Sequence, residues 1–345
     1  MRAAVVHGPH DLRIDELPDP VPGEGEVLIA VEWGGICGSD TSYYRHGASG
    51  TARLRHPLVL GHEIAGRIAG LGPGVQGLHH GLEEGQAVTV HPATLVGDGV
   101  LPERLAGRTN LYTPSRYFGS AAFDPHTDGG FSQFRVARAD QIRLLPDEVT
   151  TEHGALAEPL GVAFHAVGRA GRLQGKRVLV NGAGPIGSLV VAAAKYCGAD
   201  AIVASDVSDS ALHIAKQMGA DETVNVAAGG RLPEDVEIVF EASGSPRALG
   251  PVLRATARGG TLVQVGNLPG AEVQAVLGDL VTREITWIGS YRFVDEITDA
   301  VEAMRDGLDV SPLITHTFAL EEAATAMAVA LDPDSGSSKV MLRIG

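Results

Sequence analysis

Cysteine is almost absent from this 345-residue chain, which carries only Cys37 and Cys197. No disulfide framework supports the fold, and each thiol has to be judged by its surroundings. Positive charge is scarce too: Lys+Arg 27 stand against Asp+Glu 42, a formal net charge of -15. That argues against a nucleic-acid partner, because phosphate-backbone binding needs a concentrated basic surface. No apolar run approaches the ~20 residues that span a bilayer, so no membrane partner is expected. The opening MRAAVVHGPHDLRIDE lacks the apolar core of a signal peptide, and a cytoplasmic location is the expectation. What remains is an ordinary globular composition, 44% hydrophobic and 20% charged, in a chain long enough for two domains.

The texture changes along the chain. Up to about residue 150, short β-prone pieces such as EVLIAVEW (26–33) and QAVTVHP (86–92) alternate with Gly- and Pro-containing turns. The stretch 93–128 has weak periodicity and reads as an excursion from that core. From Lys176 onward strands and helices alternate: RVLVNG, the helix-prone PIGSLVVAAAKYCGA, AIVASD, ALHIAKQMGA, then EIVFEAS, TLVQVG and ITWIGS. Such alternation predicts an α/β class with a doubly wound parallel sheet. DEITDAVEAMRDG and LEEAATAMAVALD read as amphipathic helices, and SKVMLRI as a last strand. The expected division is a β-rich domain over 1–155, to which 291–345 returns, and a nucleotide-binding domain over 156–290.

GAGPIG (182–187) has the G-x-G-x-x-G spacing, follows a strand, opens a helix, and lies 19 residues before Asp206 at the end of the next strand. In that setting Gly182 permits the tight turn, Gly184 the close approach of a pyrophosphate, and Gly187 the packing of helix on strand. Pro185 and Ile186 complete the loop, and Val265 ends a later strand on the same face. Asp206 would accept the adenosine ribose hydroxyls and repel a 2′-phosphate, and Val207-Ser208 supply no arginine to receive one. The expected cofactor is NAD in preference to NADP.

Metal-ligand chemistry is scattered over three short segments. Cys37 stands in GICGSD, His62 and Glu63 in LGHEIAG, and Glu158 in ALAEPLG. Alone, a buried Cys is a small hydrophobe and a lone His is structural. Together, a thiol, an imidazole and carboxylates suit a Zn²⁺ that keeps one position open. These segments, in this order and followed by GAGPIG, resemble the medium-chain zinc dehydrogenase family over essentially the whole chain. The resemblance implies a GroES-like catalytic domain built from both chain ends, a Rossmann domain, and an active-site cleft between them. It implies Cys37 and His62 as zinc ligands, Glu158 at the third-ligand position, and Glu63 as an alternate or exchanging ligand. Which acid ligates at rest stays open.

Within the family, RYFGSAAFDPHTDGGFS, ALAEPLGVAFHA, LQGKRVLVNGAGPIG and GSYRF are similar to the L-idonate 5-dehydrogenase branch, with sorbitol and xylitol dehydrogenases as neighbours. That implies reversible oxidation of L-idonate to 5-ketogluconate, a small polyhydroxy substrate. Tyr43, Phe118 and Arg292 should line the substrate cleft, although Arg292 would also suit an ion pair between domains. The alternatives are a sorbitol- or xylitol-type dehydrogenase, a zinc-free quinone reductase, or a non-catalytic nucleotide-binding protein. Relatives associate as homodimers or homotetramers, and ITWIGS is the candidate edge strand. Two departures stand out. The four cysteines that hold a structural zinc in many members fall at Val96, Gly99, Pro102 and Asn110, so one catalytic zinc per chain is expected and no structural one. The relay histidine of many relatives is Ser42 here, while Ser39 is retained as the first relay hydroxyl. Cys197 is expected to be a packed thiol.

Overall fold

The computed structural model describes residues 1–78 and 81–345. The chain forms two compact units, one of Met1–Glu158 with Ile314–Gly345 and the other of Pro159–Leu313. Among the described residues no helix is long and apolar enough to cross a membrane.

In the first unit a seven-stranded sheet is organised on Glu26–Gly35, which pairs antiparallel with Glu63–Leu71, Phe134–Arg138 and Lys339–Arg343. Alternation along Glu26–Gly35 sends Val27, Ile29 and Val31 into the core, as expected of a strand with one buried face. They pack with Leu58, Leu60, Ile64, Ile68, Phe131 and Leu342. The C-terminal strand therefore closes the sheet that the N-terminal part begins. The excursion after residue 92 contains a small ribbon, Ala93–Leu95 against Ser115–Tyr117. Here the Tyr112 hydroxyl donates to the Val96 carbonyl (3.1 Å) and accepts from the Gly99 N–H (3.1 Å). Val96 and Gly99, two of the positions at which the family resemblance would place thiols, are thus tied to one phenol.

The second unit is the doubly wound sheet expected from the alternation. Six parallel strands run in the order Glu222–Asn225, Ala201–Asp206, Arg177–Asn181, Val236–Glu241, Thr256–Gln264, Thr286–Gly289. The edge strand Glu222–Asn225 has no apolar run to announce it in the sequence. Thr286–Gly289, within ITWIGS, is the other edge.

The return to the first unit begins at Ile314 and not at residue 291. Helix Glu296–Arg305 buries Ile297, Ala300, Val301, Ala303 and Met304 in the second unit. Gly161, in the helix Ala157–Ala170, lies against it so closely that a Cβ would sit 3.0 Å from the Ile297 nitrogen. Glu296 bonds His165 Nδ1 at 2.7 Å and accepts the Val294 N–H at 2.6 Å. Amphipathic periodicity shows that a helix has an apolar face but not which core receives it.

Burial works against the Glu296 carboxylate, yet the His165 bond and the backbone N–H groups outweigh it and hold the carboxyl below its ordinary value. A depressed carboxylate adds stability above its unfolded pKa and loses it as pH falls through the folded one. Glu296→Gln should therefore cost about 1 kcal/mol at neutral pH, with the gap to wild type closing below about pH 4.5. Urea denaturation across pH checks this, and a pH-independent gap would contradict it.

Candidate active site

Strand Glu26–Gly35 delivers the chain to Cys37, which caps the helix Gly38–His46. Asp40, in the first turn, is fully buried and joins the two motif segments. Its Oδ2 accepts the Cys37 N–H at 2.9 Å, and its Oδ1 accepts the Gly61 N–H at 3.1 Å. The turn before His62 requires glycine: Gly61 has φ +96, and a Cβ there would lie 2.2 Å from Phe131 Cδ1. Gly35 is glycine for a related reason, since its Cβ would lie 2.3 Å from Glu63 Oε2.

Cys37, His62 and Glu63 each direct a ligand atom to one place, all within 4.8 Å of one another. It is the only such group of three found among the described residues. Glu158 is outside that triangle. It lies in the first turn of the helix Ala157–Ala170, and its Oε1 accepts the Tyr117 hydroxyl at 2.5 Å. The Tyr117 ring meets His62 edge-on with centroids 5.5 Å apart. Glu63, 1% exposed, has both oxygens bound by Lys339 Nζ at 2.8 and 2.7 Å.

Burial opposes charge on His62, but the Cys37 thiol group, a hydrogen bond between the two, and the Asp40 and Glu158 carboxylates outweigh it and raise His62 well above its ordinary value. Burial, reinforced by Glu63, raises the Glu158 carboxyl against the pull of His62, Tyr117 and Lys339. Burial also raises Asp40, against His62 and the Cys37 N–H. Three buried carboxylates and a thiol thus face one lysine and one imidazole. Burial that pushes Asp40 and Glu158 toward their neutral forms is relieved when a cation enters such a centre. The donor set of one sulfur, one nitrogen and carboxylate oxygens therefore fits a zinc ion.

The other residues singled out from the sequence have the following surroundings. Ser39 is half-buried in the first turn of the helix Gly38–His46. Ser42, at the position where the family resemblance would place a relay histidine, donates to the Ala48 carbonyl at 2.7 Å. Tyr43 and Phe118 belong to the apolar core of the first unit. The Tyr43 hydroxyl accepts the Ala121 N–H at 3.0 Å, and Phe118 carries the Arg135 guanidinium 4.2 Å above its ring. Arg292 belongs to the second unit, with a left-handed φ of 50 and its guanidinium 5.0 Å from the Tyr291 ring. Cys197 is half-buried, and burial raises its thiol.

In the second unit the glycine loop has the stereochemistry its spacing requires. Gly182 has φ +92 and abuts Ser243, whose nitrogen would be 2.4 Å from a Cβ. At Gly187 a Cβ would collide with the Gly182 carbonyl at 1.8 Å. Gly184, at the N-cap of the helix Pro185–Tyr196, faces open space, where the first-turn N–H groups of Ile186 and Gly187 have no partner within the helix. A cavity of about 890 Å³ opens there, lined by Gly182, Gly184, Asp206 and Val207 among others. Asp206 also braces the loop: Oδ2 accepts the Ala183 N–H at 2.6 Å, and Oδ1 those of Val207 and Ser208 at 2.7 and 2.9 Å. Val265 donates to the Glu241 carbonyl at 2.8 Å.

Several residues of these sites are not legible in the motifs. Lys339, Tyr117 and the bridging function of Asp40 depend on pairings across the first unit. Glu241, fully buried, accepts from Asn181, Gly244 and Gln264 and binds three strand ends together. Arg231, Arg247 and Arg254 line the cavity wall, although Val207-Ser208 offered no arginine.

Residues 185–306 match the zinc-binding dehydrogenase family and residues 23–147 the alcohol dehydrogenase GroES-like domain. The chain is 36% identical to L-idonate 5-dehydrogenase (NAD(P)(+)) of Escherichia coli K12, over 92% of this chain and 91% of that one. The crystal structure of the E. coli L-idonate 5-dehydrogenase superposes with a TM-score of 0.91, covering 99% and 98% of the two chains at 34% identity. Sorbitol dehydrogenase of Bos taurus is 38% identical over 93% of this chain and 90% of its own. A zinc-binding dehydrogenase of Sinorhizobium meliloti, solved bound to NADP, superposes with a TM-score of 0.88 over 99% of each chain at 28% identity.

Asp40→Ala should leave the Cys37 and Gly61 N–H groups without their acceptor and cost about 2–5 kcal/mol. Urea denaturation measures this, and a loss below about 1 kcal/mol would contradict the bridging role.

Proposed function

Because the chain belongs to the zinc-binding medium-chain dehydrogenase family, we propose that it oxidises L-idonate to 5-ketogluconate, and the reverse, with NAD preferred over NADP. The observation that carries this reading is the convergence of Cys37, His62 and Glu63 on one point, with Glu158 in the same buried centre. Carboxylates beside a single thiolate make a harder metal site, suited to a substrate that offers two hydroxyl oxygens. Zinc, when bound, would lower the pKa of the substrate hydroxyl, and the nicotinamide would supply the hydride acceptor.

The chain's own residues do the rest. Cys37 and His62, with Glu63 or Glu158, hold the metal. Ser39 is the first hydroxyl on the path by which the substrate proton leaves, and because Ser42 stands where relatives have histidine, the onward route runs over ribose and water. Gly182, Gly184, Pro185, Ile186 and Gly187 receive the pyrophosphate, Asp206 the ribose hydroxyls, and Val265 lies by the nicotinamide end. Tyr43 and Phe118 shape the substrate side, and Arg292 binds hydroxyls or the carboxylate. One zinc per chain is proposed, since Val96, Gly99, Pro102 and Asn110 offer no thiolate.

A sorbitol- or xylitol-type substrate is the second reading, favoured by an equally close similarity to sorbitol dehydrogenase. Association as a homodimer or homotetramer through the edge strand Thr286–Gly289, in the cytoplasm, belongs to the same proposal; the exposed Val276 and Val281 just before that strand support it.

Initial rates with NAD and NADP across L-idonate, D-gluconate, sorbitol and xylitol test the substrate. L-Idonate should give the highest kcat/KM, and a higher value for sorbitol would replace it. Cys37→Ser should lose zinc and turnover while NADH binding, followed by fluorescence, stays within about threefold of wild type. Normal turnover in that variant would defeat the metal reading. Elemental analysis should find one zinc per chain, and two would contradict the single-site assignment.

A further inference from the structure

We propose that Lys339 is a positioning residue that competes with the metal for the Glu63 carboxylate and so sets how firmly the centre holds its zinc. This rests on the zinc reading above and adds to it a residue that none of the sequence motifs contains.

The geometry is specific. Lys339 is 3% exposed, and its Nζ reaches both Glu63 oxygens, at 2.8 and 2.7 Å, and the Ile36 carbonyl at 3.3 Å. Ile36 immediately precedes Cys37, and Glu63 immediately follows His62. The ammonium therefore bridges the two segments that carry the thiol and the imidazole. Its own backbone is fixed at the start of the strand Lys339–Arg343, whose Met341 pairs with Gly35. Gly35 in turn leaves the space that the Glu63 carboxylate occupies, since a Cβ there would overlap Oε2.

The same Glu63 carboxylate is within 4.8 Å of the Cys37 and His62 ligand atoms. It thus lies within reach of two cations, a fixed ammonium and an exchangeable metal ion. A carboxylate with both oxygens bonded to an ammonium donates less charge to a metal than one left alone. Hydrogen bonding by Lys339 weakens Glu63 as a ligand, and loss of Lys339 makes Glu63 available to the metal in full.

The test compares release of zinc from the folded protein to a chelator, with cobalt(II) substitution as a second readout. Lys339→Met should slow zinc release by about tenfold or more, the scale on which groups bonded to metal ligands move metal affinity, and should alter the visible cobalt spectrum. Lys339→Arg should restore the wild-type rate and spectrum. A folded Lys339→Met protein that releases zinc at the wild-type rate, or faster, overturns the proposal. Should that variant not fold, Glu63→Gln is compared with Glu63→Gln/Lys339→Met, in which the charged pair is absent. Equal release rates there support action through Glu63, and unequal rates overturn it. Wild-type protein that binds no zinc defeats the metal reading itself, a different result from zinc that is bound but indifferent to Lys339.

Discussion

Asp40, Glu63 and Glu158 are carboxylates taken almost completely out of water, and Cys37 stands beside them. In a low-dielectric interior such a cluster persists only if positive charge and hydrogen bonds meet it at every oxygen. Much of the first unit reads as an answer to that demand. Asp40 takes two backbone N–H groups, Glu158 takes the Tyr117 hydroxyl, and Glu63 takes Lys339. Glycines at positions 35 and 61 remove side chains that would collide with Glu63 and Phe131. These arrangements leave one thiol, one imidazole and one carboxylate oxygen directed at a common point, a donor set that would hold a divalent cation.

The second unit solves a different problem, the approach of a bulky anion to backbone. Its means are steric. Gly182 turns in the left-handed region, Gly187 lies on the Gly182 carbonyl, and Gly184 is left open. The helix N-terminus then offers unpaired N–H groups to phosphate oxygens. Glu241 and Asp206 hold the strand ends and the loop from behind by hydrogen bonds.

Local chemistry was legible in the sequence wherever it was contiguous. The glycine loop, the strand before it, the helix after it and Asp206 lie within the single stretch Arg177–Asp206, and their physical meaning follows from spacing alone. Cys37, His62 and Glu158 were legible as donor types, and the resemblance of their segments supplied their order. Lys339 was not, because a lysine opening a C-terminal strand resembles any solvated end. Only the pairing of that strand with Glu26–Gly35 buries it against Glu63. Tyr117 and the two hydrogen bonds that Asp40 accepts were hidden for the same reason. The return point moved from 291 to Ile314 because the apolar face of Glu296–Arg305 is equally compatible with either core. Likewise Arg231 and Arg247 reach the nucleotide cavity through loops remote in sequence from Asp206.

A single metal ion held by one sulfur, one imidazole and carboxylate oxygen has a distinctive signature in zinc-edge X-ray absorption on the isolated protein. The expected shell is one sulfur at about 2.3 Å with the remaining nitrogen and oxygen at about 2.0–2.2 Å. A shell with two or more sulfurs per zinc, or no sulfur at all, would contradict it.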